Sequence, residues 1–271
     1  MKKKPKWLDE HSGHNQSSAH QFKQEKAYFG YRRVYSNEKA QWVREHFNTV
    51  AEKYDLMNTL LSFGIHHLWK RAAVRMMALN PGDRILDVCG GTGDLAILAA
   101  RDTGVSGRVI VYDINRAMIE AGRHKLNEPL LGKCIWFVQG DAEHLPFPDG
   151  YFDAVMVGFG IRNVTHMDLG FKEMCRILKP GGKMMCLEFS KPTAPLFRWL
   201  YDLYSFHFMP LLGGVVTGSH RAYLHLTESI RTFVLPDTLA NMIERAGFSR
   251  IIIRKLTNGI AIIHMATKDG T

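Results

Sequence analysis

The sequence contains no apolar run near the roughly 20 residues that a membrane-spanning helix needs. Its amino-terminal stretch also lacks the hydrophobic centre of a secretory signal. Neither a spanning segment nor a cleaved export signal is expected. Cysteine is scarce: Cys89, Cys134, Cys175 and Cys186 stand far apart, with no Cys-x-x-Cys pair and no histidine at zinc-ligand spacing. A zinc ribbon is excluded, and buried free thiols in a reducing cytosol are predicted. Internal repeats are absent as well, which removes the solenoid architectures.

What is present suits one large domain with extensions: 271 residues, 46% hydrophobic and 11% aromatic, enough to bury a full core. The formal charge of +9 suggests nucleic acid or an anionic surface until it is located. Residues 1–35 hold eight basic against three acidic residues, a net of +5, which leaves only +4 for the rest of the chain. With MKKKPKW and HSGHNQSSAH, and without hydrophobic period, residues 1–35 are predicted to be a basic, disordered tail. His11, His14 and His20 match no defined ligand spacing, and no metal is expected.

From Arg84 onward, short β-branched runs alternate with helical patterns, which predicts an α/β fold with a mostly parallel sheet. The strand candidates are 84–88, 108–113, about 133–139, 152–159, 183–189, 250–256 and 260–267, seven in all. Only Thr257, Asn258 and Gly259 separate the last two, so they are expected to form an antiparallel terminal hairpin. The predicted organisation is a tail at 1–35, a helical cap at 36–80 and a Rossmann-like domain at 81–271 with an insert near 192–236. The insert, LFRWLYDLYSFHFMPLLGGVV, reads either as the lid of a greasy cavity or as ordinary helical core.

The stretch LDVCGGTGD (86–94) sets glycines between a strand and a helix, where the missing Cβ lets backbone approach a ligand. Asp113 ends the second strand, placed for an acid to accept hydrogen bonds from ribose hydroxyls; its alternative role is the N-cap of the helix near Arg116. The third strand runs into GDAEHLPF, setting Asp141 and Ala142 beside the turn to grip an adenine. An NAD-dependent oxidoreductase is the competing enzyme reading, but G-x-G-x-x-G spacing is absent. A nucleic-acid-binding protein is the competing non-enzyme reading, weakened because the charge sits in the tail and no aromatic-basic motif follows.

Together, LDVCGGTGD, YDIN, GDAEHLPF, LKPGG and the terminal hairpin resemble the class I S-adenosylmethionine-dependent methyltransferases, whose sheet has seven strands with the last antiparallel. More specific are FNTVAEKYDLMNTLLSFGIHHLWKR (47–71), GFGIRNV (158–164), LEFSKP (187–192), YDLYSFHFMPLLG (201–213) and LTESI (226–230), which resemble the ubiquinone/menaquinone biosynthesis C-methyltransferases. The resemblance implies S-adenosyl-L-methionine as cofactor, held by Asp87, Gly90, Gly91, Thr92, Gly93, Asp113, Ile114, Asp141, Ala142 and Gly158. As substrate it implies a prenylated quinol, either demethylmenaquinol or 2-polyprenyl-6-methoxy-1,4-benzoquinol, methylated on a ring carbon. It further implies a cytoplasmic enzyme with no nucleic-acid partner, with peripheral contact at the inner face of the membrane and a homodimer both left open, and with a methyltransferase of another small molecule as the near alternative. The chain departs from its relatives at Cys89, where a glycine is usual, at Gly158, where some carry serine, at Ser219 and Arg221, where acids are common, and at His225, where tyrosine is.

Methyl transfer from a sulfonium is an in-line displacement, so the protein must chiefly align the reactants and exclude water. A quinol hydroxyl, with a phenol-like pKa of roughly 10, must be helped to lose its proton. Arg162 in GFGIRNV is the first candidate to stabilise the oxyanion, an ion pair with a carboxylate being its alternative role. Tyr54 in KYDLMN is the second catalytic candidate. Asp55, His66 and His67 are weaker ones, and Tyr204 and His207 are read as packing residues.

Overall fold

Short runs of β-branched residues between glycine and proline make the strands, and longer amphipathic stretches make the helices that cover them. The computed structural model describes residues 25–126, 128 and 131–270. Strands β1 (Lys26–Phe29) and β2 (Arg32–Tyr35) form an antiparallel hairpin. Helices α1 (Ser36–Asn48), α2 (Tyr54–Leu61) and α3 (Ile65–Met77) follow. The alternating part runs β3 (Arg84–Val88), α4 (Asp94–Thr103), β4 (Arg108–Asp113), α5 (Arg116–Arg123), β5 (Ile135–Gln139), β6 (Phe152–Gly158), α6 (Met167–Ile177) and β7 (Leu178–Phe189). The insert holds α7 (Pro195–Leu203), a π-helical turn at Tyr204–Phe208, α8 (Met209–Thr217) and α9 (His220–Thr232). Helix α10 (Pro236–Arg245), β8 (Phe248–Leu256) and β9 (Ala261–Lys268) complete the chain.

Seven strands form one sheet in the order β5-β4-β3-β6-β7-β9-β8. All neighbours are parallel except β9, which runs antiparallel to both β7 and β8. This is the α/β fold expected, a seven-stranded mostly parallel sheet closed by an antiparallel hairpin. Alternation along β3 divides the core: Ile85 packs with Trp69, Ala73 and Met77 of α3 and Ala96 and Ala99 of α4. Leu86 and Val88 face the other way, onto Phe171 and Met174 of α6 and Leu239 and Ile243 of α10. A third, smaller core joins Val50, Met57 and Leu61 to Met209, Ala222 and Tyr223 of the insert.

Two domain boundaries differ from expectation. Residues 26–35, assigned to the tail, are ordered because Phe29 stacks on His225 at 3.8 Å and Tyr31 N donates to Glu228 Oε2 at 3.2 Å; residues 1–24 lie outside the described residues. Helix α3, assigned to the cap, belongs to the sheet: its apolar stripe lies in the first core, and Trp69 Nε1 donates to Thr257 Oγ1 at 2.8 Å. The strand expected from about 133 starts at Ile135, because Cys134 closes a helical turn, Leu131–Cys134.

Phe171 on α6 is fully buried in the second core, away from the helical cap. Phe171→Ala is expected to lower stability by about 3–5 kcal/mol, as large-to-small core changes do, read as a shift in the urea unfolding midpoint at constant slope.

Candidate functional site

The chain leaves β3 toward β4 and β5 and then returns to β6 on the opposite side of β3. Open α/β sheets bind ligands at the carboxyl ends of the strands where that reversal opens a crevice. The turn after β3 sits there, and its backbone is unusual: Cys89 has φ +52°, Gly91 +55° and Gly93 +80°. Cys89 occupies, as a non-glycine, the left-handed conformation that glycine adopts without strain. A Cβ built on Gly90 would lie 2.8 Å from Asp87 Cγ and from Val111 Cγ1, so no larger residue fits while the turn hugs the sheet. A side chain at Gly158 would run into Leu95.

A cleft of about 100 Å³ opens over this turn. Asp87, Gly90, Gly91, Thr92, Asp113, Ile114, Asp141, Ala142 and Gly158 line it. Gly93 is the exception: it is the N-cap of α4, and the space for its side chain faces Phe137 and Val111 rather than the cleft. Asp113 accepts from Gly91 N through Oδ2 and from Asn115 N through Oδ1, both at 2.8 Å. The N-cap of α5 is Asn115, whose side chain accepts from Met118 N, so Asp113 does not fill that alternative role. Burial pushes the Asp113 carboxyl up to about 6 against the pull of those two amides. Asp87 is fully buried; Oδ2 accepts from Ala96 N at 3.2 Å while Oδ1 has no partner, and burial drives its carboxyl up to about 8. Asp141 Oδ1 accepts from Glu143 N at 3.0 Å. Cys89, Met118 and Val164 also line the cleft and give it apolar walls.

A charged network joins this turn to the helical cap. Thr92 Oγ1 donates to Asp55 Oδ1 at 2.8 Å, and Lys125 Nζ pairs with Asp55 Oδ2 at 2.8 Å and also with Asp94. Lys70 Nζ reaches Asp94 Oδ2 at 2.7 Å. Burial acts to raise the Asp94 carboxyl, but the two ammonium groups hold it well below the usual carboxylate range. Asp55 is thus a latch between α2 and the turn. His66 and His67 both lie near Thr59 Oγ1, at 3.2 and 3.3 Å, and burial lowers His66 to about 4. With Asp94 they bring three donor atoms within 4.8 Å of one another. Lys70 and Lys125 already neutralise Asp94, so the electrostatics there oppose a divalent cation.

A second cavity, of about 320 Å³, lies between the cap and the insert. Phe47, Tyr54, Lys70, Phe159 and Asn163 line both spaces, so the two meet at these side chains. Burial pushes the Tyr54 phenol up to about 12, which keeps it a neutral donor at the junction. Arg162, His46, His225 and Ser229 are among its polar lining residues, with Arg162 Nε 3.4 Å from Ser229 Oγ and the two imidazoles 4.7 Å apart, and Asn58, Ser62, His66, Lys70 and Thr257 add further polar groups to the wall. At its outer end Phe63, 78% exposed, and Leu200, 48% exposed, both line the cavity and meet solvent, which marks its mouth. Tyr204, read as packing, lines it and donates to Leu61 O at 2.9 Å; His207 is exposed. The insert therefore serves as both lid and core: Met209 and Tyr223 are buried, while Phe197, Leu200 and Tyr201 form wall.

Arg162 takes the ion pair named as its alternative role. Nη1 bonds Glu188 Oε1 at 2.7 Å and also Phe159 O, and Nε donates to Ser229 Oγ at 3.4 Å. Burial raises the Glu188 carboxyl, and the guanidinium pulls it back toward ionisation. The pair is nearly sealed from solvent, with Arg162 and Glu188 side chains 6% and 2% exposed. Sequence reasoning missed Glu188, Phe47, Asn163, His46 and Lys70. Glu188 lay within a quoted motif, LEFSKP, but its partner was visible only once β7 and the loop after β6 stood side by side.

Comparison with known proteins agrees with this architecture. Residues 34–268 match the family described as the ubiE/COQ5 methyltransferase family. The ubiquinone/menaquinone biosynthesis C-methyltransferase UbiE of Stutzerimonas stutzeri is 48% identical over 241 residues, which cover 89% of this chain and 94% of the relative. The same-named protein of Pseudomonas putida is 47% identical over 241 residues with the same coverage. Among solved structures, the cyclase SpnF superposes with a TM-score of 0.63 at 17% identity, covering 86% of this chain and 97% of that one. A SAM-dependent methyltransferase from Thermotoga maritima gives 0.57 at 18% identity, covering 83% and 99%; at these identities the likeness is one of fold. A glycine-turn cleft on a seven-stranded sheet, together with a match that spans nearly the whole described chain, places the protein in the ubiE/COQ5 methyltransferase family of SAM-dependent methyltransferases.

Proposed function

We propose that the chain is a C-methyltransferase that moves a methyl group from S-adenosyl-L-methionine to a ring carbon of a prenylated quinol in menaquinone or ubiquinone biosynthesis. Demethylmenaquinol and 2-polyprenyl-6-methoxy-1,4-benzoquinol are its two substrate candidates. The observation that carries this is the pair of spaces sharing Phe47, Tyr54, Lys70, Phe159 and Asn163: one lined by glycines and carboxylates, the other greasy with polar groups in its wall. The names of its relatives support the same reading.

The residues of the first cleft fit an adenosyl ligand. Asp113 offers a carboxylate to ribose hydroxyls, Asp87 Oδ1 is a buried polar atom without a partner among the described residues, and the bare backbone at Gly90 leaves no side chain in the way. Asp141 and the Ala142 backbone are assigned to adenine, Ile114 and Gly158 to the apolar wall, and Thr92 to the closing latch. When bound there, S-adenosylmethionine supplies an electrophilic methyl group to an activated ring carbon.

The chain's own part is to seat the ring and manage its proton. Polar groups of the second cavity's wall take the ring, and Leu61, Tyr204 and Leu200 lead its tail to the mouth. Arg162 spends Nε and Nη1 on Ser229, Phe159 and Glu188, which leaves Nη2 to stabilise a ring oxyanion from a fixed position. Tyr54, neutral at the junction, donates a hydrogen bond and helps exclude water. The hydroxyl proton leaves to water as the oxyanion forms, and after transfer the ring-carbon proton also leaves to water, which restores the aromatic ring. Incubation with labelled cofactor and short-tailed quinols, followed by location of the label, tests the reading: label on a ring carbon is expected, and label on oxygen or no product rejects it.

The mouth opens on an apolar face. Leu196, Trp199, Leu200 and Leu203 of α7, with Phe208, Leu211, Leu212 and Val215 around α8, repeat at helical spacing and are exposed. We assign this face to peripheral contact with a bilayer, where prenylated quinols reside; a homodimer through the same face is the alternative.

Three outcomes follow. Asp113 holds its proton below about pH 6, and only the ionised carboxylate accepts from two hydroxyls. Cofactor affinity measured by calorimetry is therefore expected to fall about tenfold per pH unit as pH drops through that value, and Asp113→Asn is expected to be weak and flat with pH. Arg162→Lys retains a charge for Glu188 but loses the fixed fork, so kcat is expected to fall about 100-fold at unchanged cofactor affinity; unchanged kcat removes Arg162 from the chemistry. Leu211→Glu with Val215→Glu, neither of which lines the cavity, is expected to abolish co-sedimentation with phospholipid vesicles while turnover of a short-tailed quinol persists. Loss of a dimer in gel filtration by that variant, without vesicle binding by the wild type, selects the homodimer.

A further inference from the structure

The rim of the second cavity has two sides, and only one of them belongs to the insert. The other is the loop between α2 and α3, where the exposed Phe63 lines the cavity and meets the Tyr204 ring at 5.9 Å. Phe63 has φ +50° and is followed by Gly64 at +73°. A left-handed backbone suits glycine at the end of a helix and strains a bulky aromatic residue. Strained residues of this kind cluster at functional positions, and burial is not what holds Phe63 there. Leu56 and Leu60 of α2 and Leu68 of α3 add exposed apolar side chains on the two flanking helices. The same α2 lends Tyr54 to the cofactor cleft and Asp55 to its latch.

Charge is concentrated in the same elements. Residues 53–78, which carry α2 and α3, and residues 190–221, which carry α7 and α8, hold seven lysines and arginines against two acids, a net of +5. All other residues from 36 onward sum to −1. Both acids are already paired, Asp55 with Lys125 and Asp202 with Arg231. Helix α3 contains no acid, and Arg71 and Arg75 follow Leu68 by three and seven residues, the spacing of one helix face. Both arginines are exposed, and neither has an ion-pair partner among the described residues.

The mouth itself selects the occupant of such a rim. A protein partner or a second copy lying across both sides would close the entrance, whereas a bilayer can lie across both and deliver a prenylated substrate through it. Cations beside exposed apolar side chains fit a leaflet that carries negative headgroups.

We propose that the α2–α3 loop and the outer face of α3 form a second docking arm, in which Phe63 enters the acyl layer and Arg71 and Arg75 bind the headgroups of anionic phospholipids. It deepens the bilayer reading of the α7–α8 face, on which it rests, by naming the lipid class and the opposite side of the mouth.

The test sediments the full chain, without quinol, with vesicles of phosphatidylcholine alone and of phosphatidylcholine mixed with phosphatidylglycerol. The wild type is expected to prefer the mixed vesicles. Arg71→Gln with Arg75→Gln, neither of which lines a cavity, is expected to weaken binding to mixed vesicles about 30-fold, the worth of two cations at an anionic surface. Binding to phosphatidylcholine and turnover of a short-tailed quinol in solution are expected to stay constant in that variant. Phe63→Gly relieves the backbone strain, so it is expected to weaken binding to both vesicle types about tenfold without lowering the thermal midpoint. A packing role alone predicts the reverse, a lower midpoint with vesicle binding intact, and that result overturns the anchor. Full retention of the mixed-vesicle preference by the arginine variant assigns it to basic residues elsewhere in the chain and overturns the headgroup site. Loss of vesicle binding by Leu211→Glu with Val215→Glu, while the arginine and Phe63 variants keep it, removes the second arm and spares the α7–α8 face. A wild type that sediments with neither vesicle overturns both, and a dimer in gel filtration that Phe63→Gly disrupts then selects a second copy.

Discussion

The arrangement of the site depends on the charged latch between the glycine turn and the helical cap. Asp94 opens α4 immediately after the turn, and Lys70 of α3 and Lys125 beyond α5 both pair with it. Lys125 carries the link on to Asp55 of α2, which also takes the Thr92 hydroxyl. Two carboxylates and two ammonium groups thus balance in a partly buried position, where an unpaired member would be costly. The latch sets Tyr54, one residue before Asp55, over the cleft. Without it the cap would keep the hydrogen bonds of α1, from Lys39 to Val164 O and from Asn115 to Arg44 O and Asn48, but α2 would rest on the turn through apolar contacts, which fix area but not register. Two spaces that share five side chains require that register.

A second balanced pair does similar work deeper in the molecule. Glu188 ends β7 and Arg162 follows β6, adjacent strands, so their meeting is set by sheet order. Sealed from solvent, the pair exerts little long-range field, and its value to chemistry is rigidity rather than net charge. A guanidinium with three fixed partners reorganises little when charge develops beside it, the condition under which electrostatic stabilisation is most effective. The two roles named for Arg162 are compatible, since the carboxylate that pairs with it would hold the guanidinium in place for the proposed contact with a ring oxygen.

The sheet was legible because its strands are buried on both faces and so read as continuous β-branched runs, as in RVIVYD and FDAVMVG. The cleft was legible because close backbone approach leaves a residue-level mark in GGTG and the following acid. Gly93 shows the limit: a glycine needed for helix capping looks the same in sequence as one that faces a ligand. The hairpin at 26–35 was hidden because its strands are four residues long and largely exposed, and its anchors, the Phe29 stack on His225 and the Tyr31–Glu228 hydrogen bond, are made to a distant helix. The His46, His225 and Phe29 cluster was hidden for a different reason, since its members are brought together by tertiary packing across nearly 200 residues of sequence.

The size of the second cavity bears on how a long-tailed substrate is held. About 320 Å³ lies at the small end of cavities that enclose drug-sized ligands. Under the proposed function a ring and the first part of a tail would fill it, and the remaining carbons would lie outside. Each methylene kept from water is worth about 0.8 kcal/mol, so a tail left in solvent would oppose binding more strongly as it lengthens. The exposed stripes of α7 and α8 begin where the cavity ends, with Leu200 belonging to both. An apolar face continuous with the mouth removes that penalty when it lies against lipid, because the tail then passes from bilayer to cavity without crossing water. On that proposal, affinity for the ring would be set inside the cavity and would not depend on tail length, which suits an insert that is apolar on both sides.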